Sequence, residues 1–97
     1  MSKPAYMVVD ARSSDPERMT EYRRLAQLAV EKHGGRYLVR GAPYVTIEGS
    51  WQPQRLVVLE FPSMDAAKTF YDSPEYLAAR GARAEVSDFD ILLIEGY

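Results

Sequence analysis

The stretch Arg55-Leu56-Val57-Val58-Leu59-Glu60-Phe61-Pro62-Ser63 decides how the rest of the chain is read. Up to Phe61 it is dominated by aliphatic, β-branched and aromatic residues, the composition of a half-buried pleated strand. Pro62 stops that strand, and the Ser63 hydroxyl can accept from the unpaired amides of a helix start. The helix that follows holds Met64, Ala67, Phe70 and Tyr71. Ser73-Pro74 is a second cap signal, so a further short helix is predicted over Glu75 to Ala84, and Asp88 to Glu95 reads as a last strand.

Upstream, Arg36 to Arg40 reads as a strand that Gly41-Ala42-Pro43 breaks or bulges, with Tyr44 to Glu48 resuming extended. Gly49 to Pro53 is a loop that carries the single tryptophan, Trp51. Gly34-Gly35 closes a long amphipathic helix, in which Met19, Tyr22, Ala26, Ala29 and His33 recur at helical spacing with Leu25 and Val30 beside them. Its other side, Glu21, Arg23, Arg24, Gln27, Glu31 and Lys32, reads as solvated. Asp15 ahead of Pro16 caps its start, with Ser14 and Glu17 offering a competing capping box. Ala5 to Ala11 is the first strand.

The order is therefore β-α-β-β-α-β. Short right-handed connections turn that order into a ferredoxin-like α+β sandwich. One four-stranded antiparallel sheet, in the order 4-1-3-2, carries its helices on one face. With 97 residues, 46% of them apolar, the chain forms one domain, residues 1–97. Twelve basic and fourteen acidic residues leave a net charge of −2, which argues against a general nucleic-acid binder. The absence of cysteine excludes disulfides, thiolate metal sites and a thiol nucleophile. No apolar run reaches the length of a membrane span, and Met1-Ser2-Lys3-Pro4 leads straight into a strand without a signal-peptide core. A cytoplasmic protein is expected.

Alternation along the strands separates two faces. Met7, Val9 and Ala11, with Val57, Leu59 and Phe61 and with Tyr37 and Val39, form apolar sets suited to the space under the helices. The opposite set mixes Tyr6, Val8, Leu38, Leu56 and Val58 with Asp10, Arg36, Arg40 and Glu60. The last strand is apolar on both faces after its start. A wet sheet face would alternate more cleanly, and too little chain remains to cover this one. A second copy, related by a two-fold axis, is expected to cover it. Strand directions put Asp10 near Arg40 at one end and Glu60 near Tyr6 and Arg36 at the other. Asp10 and Glu60 are therefore not expected to act as one carboxylate pair. Buried charges must be paired or reach solvent, so a cavity for a small polar ligand is expected at an end of the interface.

Three motifs carry a family resemblance: Tyr37-Leu38-Val39-Arg40-Gly41 after the glycine pair, the strand-and-cap stretch Arg55 to Ser63, and Phe70-Tyr71-Asp72-Ser73-Pro74-Glu75-Tyr76. Together they resemble the domain-of-unknown-function family 1330 (DUF1330), of the dimeric α+β barrel superfamily, over nearly the whole chain. Arg40, Trp51, Glu60, Phe61, Tyr71, Ser73 and Tyr76 match family-typical positions. The resemblance implies a ferredoxin-like subunit and a homodimer whose sheets face each other. It implies no reaction. The superfamily ranges from cofactor-free monooxygenases and haem-degrading enzymes to stress-response proteins, and their chemistries transfer only as fold-level analogy.

The functional expectation is a homodimer that binds or converts a small anionic organic molecule without a cofactor or a metal. Arg40 would clamp the anion with its planar fork, Tyr6 and Trp51 would wall the site, and Glu60 or Asp10 would move protons. The alternatives are a non-enzymatic dimer whose buried polar groups specify pairing, and a monooxygenase or haem-handling enzyme. His33, the only histidine, is read first as a helix C-terminal residue.

Overall fold

A computed structural model describes residues 3–97. The elements are β1 (Ala5–Ser13), α1 (Pro16–Lys32), β2 (Arg36–Arg40), β3 (Leu56–Phe61), α2 (Met64–Tyr71), α3 (Pro74–Arg83) and β4 (Ser87–Glu95). The four strands form one antiparallel sheet in the order β2-β3-β1-β4, the topology expected. All three helices pack on one face.

Local chemistry fixes the element ends. Asp15, not Ser14, caps α1: its side chain accepts from the Arg18 amide at 3.2 Å, and Pro16 follows at a position that needs no N–H. Ser63 and Ser73 cap α2 and α3 by accepting from the Ala66 and Tyr76 amides. Gly35, after α1, has a packing reason to be glycine, since a Cβ there would lie 2.6 Å from the Phe61 ring. β1 runs two residues past Ala11 because Arg12 and Ser13 pair with Asp88 and Ser87 of β4.

The core lies between the sheet and the helices. Ala5, Met7, Val9 and Ala11 of β1 and Leu59 and Phe61 of β3 meet Ala26, Ala29 and Val30 of α1. Phe70 stands between Phe61 and Tyr76, with ring centroids 4.9 and 4.6 Å away. The opposite face has no helix. There Leu92 and Ile94 are 70% and 59% exposed, beside Tyr6, Val8, Val58 and Leu38.

Two expectations are corrected. Tyr44 to Glu48 is not a strand: it pairs with no neighbour and belongs to a long connection between β2 and β3. This connection is held by the Tyr44 hydroxyl donating to the Pro53 carbonyl and the Thr46 hydroxyl donating to the Trp51 carbonyl. Its Val45 and Ile47 side chains stand in solvent. The second correction concerns register. Tyr37 faces Leu59 and Val39 faces Val58, so β2 takes two steps where β3 takes one. Leu38 is the extra residue of a β-bulge, which resets the alternation of faces. Val39 turns to the open face. Arg40, opposite Val57, turns to the helix face.

Candidate functional site

The bulge separates Arg40 from Asp10. Arg40 reaches α1, where its Nη1 donates to the Gln27 side-chain oxygen at 2.9 Å, and its guanidinium lies 4.2 Å from the centroid of the Tyr37 ring. The Asp10–Arg40 grouping expected from uninterrupted alternation therefore does not form. Asp10 pairs instead with Arg12 at 2.8 Å and accepts from the Trp51 indole N–H at 3.3 Å. Arg12 also engages Asp88 and Asp90 of the neighbouring strand. Asp10 is buried, and its Oδ1 has no hydrogen-bond partner among the described residues.

The other grouping does assemble. Tyr6, Glu60 and Arg36 sit in register across β1, β3 and β2, and Arg36 Nε donates to Glu60 Oε1 at 2.7 Å. Arg36 holds the Glu60 carboxyl below its ordinary value, and the Glu60 carboxylate pushes the Tyr6 phenol up. Tyr6 faces Glu60, and Asp10 lies four residues further along β1. That is about 13 Å at the rise of an extended strand. The two carboxylates do not share a site. His33 caps the C-terminus of α1 and engages Glu75 of α3 at 2.9 Å, so it is a helix-end residue in a surface network with Lys32.

A cavity lies on the helix side, between the sheet and α1, with a volume of about 50 Å³. Its walls are Met7, Val9 and Ala11 of β1, Val57 and Leu59 of β3, Ala26 and Val30 of α1, and aromatic rings from several elements. Three arginines line it: Arg23 from α1, Arg40 from β2 and Arg55 from the residue preceding β3. Among the described residues none of the three forms an ion pair. Arg23 was expected on the solvated side of α1 and instead borders this cavity.

The electrostatics are one-sided. Burial, and then the charges of Arg23 and Arg40, pull the Arg55 guanidinium below its usual value, although it remains a cation. Gly41 allows this crowding. Its φ is +72°, in the region that favours glycine, and a side chain there would run into the Arg55 guanidinium. Tyr22 and Tyr76 also line the cavity, and their hydroxyls meet at 2.8 Å. Burial pushes the Tyr22 phenol far up, so it is neutral at every physiological pH. Arg55 was not singled out by sequence, and Tyr22 was read only as part of the apolar stripe of α1; Tyr76 stood among the family-typical positions, with packing as its first reading. Gly41 next to a matched arginine was the available signal for the cluster.

Residues 4–97 match the family described as "Domain of unknown function (DUF1330)". The chain belongs to this family. No curated protein matches the sequence. Solved structures of the same fold are similar to this DUF1330 chain. A protein of unknown function from Rhodopseudomonas palustris is 19% identical, with a TM-score of 0.77, covering 100% of this chain and 85% of that one. SnoaB from Streptomyces nogalater, described as a cofactor-independent oxygenase, is 12% identical, with a TM-score of 0.66 and coverage of 99% and 95%. A dimeric ferredoxin-like protein of unknown function from Thermobifida fusca is 13% identical, with a TM-score of 0.60 and coverage of 99% and 93%. At these identities the likeness is one of fold. Among the described residues no helix is long and apolar enough to cross a membrane, and no three His, Cys, Asp or Glu side chains converge as a metal-ligand set.

Proposed function

We propose that this DUF1330 chain binds a small organic anion in the cavity between its sheet and α1, as one half of a homodimer. The observation that carries the reading is the convergence of Arg23, Arg40 and Arg55, unpaired, on a cavity with otherwise apolar and aromatic walls. Like charges held together at partial burial are costly, and a carboxylate relieves that cost while accepting charge-assisted hydrogen bonds. Arg40 keeps the anion-clamping role expected of it, but from the helix face. Arg55 joins it. Trp51, Tyr6, Asp10 and Glu60 occupy the open face, and we assign them to subunit pairing instead of to ligand or proton transfer. The oxygenase activity named for SnoaB is not carried over, since only the fold is shared.

The test is calorimetric titration with a panel of short monocarboxylates and their neutral methyl esters. Saturable binding of acids but not esters is expected, with a loss of about tenfold or more in Arg55→Ala or Arg40→Ala, the scale of one charge-assisted hydrogen bond. Binding that ignores both substitutions sinks the reading.

The dimer rests on the open face. Leu92 and Ile94 stand exposed there with Trp51, an apolar surface that four strands present and no element of the chain covers. Patches of this kind on soluble proteins mark association sites. The Thermobifida fusca protein of the same fold is described as dimeric. Light scattering at micromolar concentration should give twice the mass of the chain; a monomer mass removes this part of the reading.

A further inference from the structure

Which organic anion fits is narrowed by the tyrosine pair that also lines the cavity. We propose that the ligand is a short acid carrying a second oxygen, held at its carboxylate by Arg40 and Arg55 and at that oxygen by the Tyr22–Tyr76 hydroxyl pair. This rests on the anion-binding reading above and goes beyond it in size and in chemistry.

Size comes from the volume. About 50 Å³ is available, and a single water needs roughly 10–15 Å³ on the same measure. Arg40 is exposed, so with the carboxylate held outside at that arginine the cavity itself takes about three to five non-hydrogen groups. A chain of four carbons fits, and a fused-ring or phenylalkyl body does not.

Chemistry comes from proton counting. Two tyrosine hydroxyls carry two protons, and their mutual hydrogen bond at 2.8 Å uses one. The Tyr22 phenol stays neutral, since burial and the neighbouring Tyr76 hydroxyl raise it. The second proton has no acceptor among the described residues. Either hydroxyl can donate in that bond; Tyr76 is 3% exposed and Tyr22 is partly buried. A neutral donor without an acceptor, in a cavity that unpaired cations also line, suits an oxygen that is uncharged and accepting, such as a ketone or an ether. Sites built to bond an oxygen discriminate strongly against an analogue that lacks it.

The experiment pairs 4-oxopentanoate with 4-methylpentanoate, which match in shape and differ in the oxygen. The wild-type chain should bind 4-oxopentanoate about tenfold more tightly, and 4-phenylbutanoate at least tenfold more weakly than either. In the double variant Tyr22→Phe, Tyr76→Phe the preference for the ketone should vanish while 4-methylpentanoate affinity holds. Replacing both hydroxyls together leaves no orphan partner, so the variant keeps its packing, which thermal unfolding checks. The wild-type comparison stands without the variant. Equal binding of the two C4-substituted acids by the wild type overturns this inference and leaves the anion reading intact. A preference that survives the double substitution overturns it too, and so does tighter binding of 4-phenylbutanoate. Binding of none of the acids removes the anion reading itself.

Discussion

The two faces of the sheet treat charge in opposite ways. On the open face, among the described residues, the acidic and basic groups of the strands are paired: Asp10, Asp88 and Asp90 share Arg12, and Glu60 has Arg36. On the helix face Arg23, Arg40 and Arg55 crowd one cavity with hydroxyl and amide partners at most. The apolar surface is distributed the other way, sealed on the helix side and left in solvent around Leu92 and Ile94 on the other. Paired charge beside bare apolar surface suits a face that another protein surface covers. Unpaired charge beside enclosed apolar walls suits a face that a small molecule completes.

Four substitutions press on this contrast. Phe70→Ala should have the largest effect, a loss of about 3–5 kcal/mol read by denaturant unfolding, because it empties the space between Phe61 and Tyr76 in the sealed layer. A smaller loss would mean that the helix side is looser than its packing implies. Gly41→Ala comes next, at about 1–3 kcal/mol, for a side chain at positive φ against Arg55. Carboxylate affinity should fall with it, since Arg55 must move, and an unchanged affinity would separate the arginine cluster from binding. Leu92→Asp should alter the stability of the isolated chain by only about 0.5 kcal/mol, as an exposed position does. It should nonetheless convert the dimer to monomer in light scattering; retention of the dimer would put the interface elsewhere.

Glu60→Gln is the mildest and is read against pH. Arg36 depresses the folded-state value of Glu60. The ion pair therefore stabilises above the unfolded value, about 4.3, and that contribution fades as pH falls through the folded value. Wild type should exceed the variant at neutral pH, and the two stability curves should converge below about pH 4. A constant gap down to acid pH would assign the effect to packing rather than to charge.

The topology was legible because its signals are local. Asp15-Pro16, Ser63 and Ser73-Pro74 mark helix starts within a few residues, and β1, β3 and β4 keep strict alternation. The Tyr6–Glu60–Arg36 row followed from strand direction alone. The arginine cavity was not legible. Nothing in Tyr37-Leu38-Val39 distinguishes a bulge from a regular strand, so counting by twos through it carried Arg40 to the wrong face. Tyr44 to Glu48 alternates as a strand does, but pairing depends on a neighbour that the sheet does not provide at that edge. Arg23 and Arg55 come from elements 32 positions apart in sequence, and only the packed fold joins them.

The bulge at Leu38 also bears on how this chain can change over generations. In a regular strand the loss of one residue carries every side chain beyond it to the opposite face. Leu38 is the residue without an opposite, so deleting it would leave Arg36, Tyr37, Val39 and Arg40 paired one to one with Glu60, Leu59, Val58 and Val57, each on its present side. A strand that kept all five residues but lost the bulge would instead carry Arg40 to the open face. The register of β2, more than its composition, is the inherited quantity that decides which side of the sheet its arginine serves.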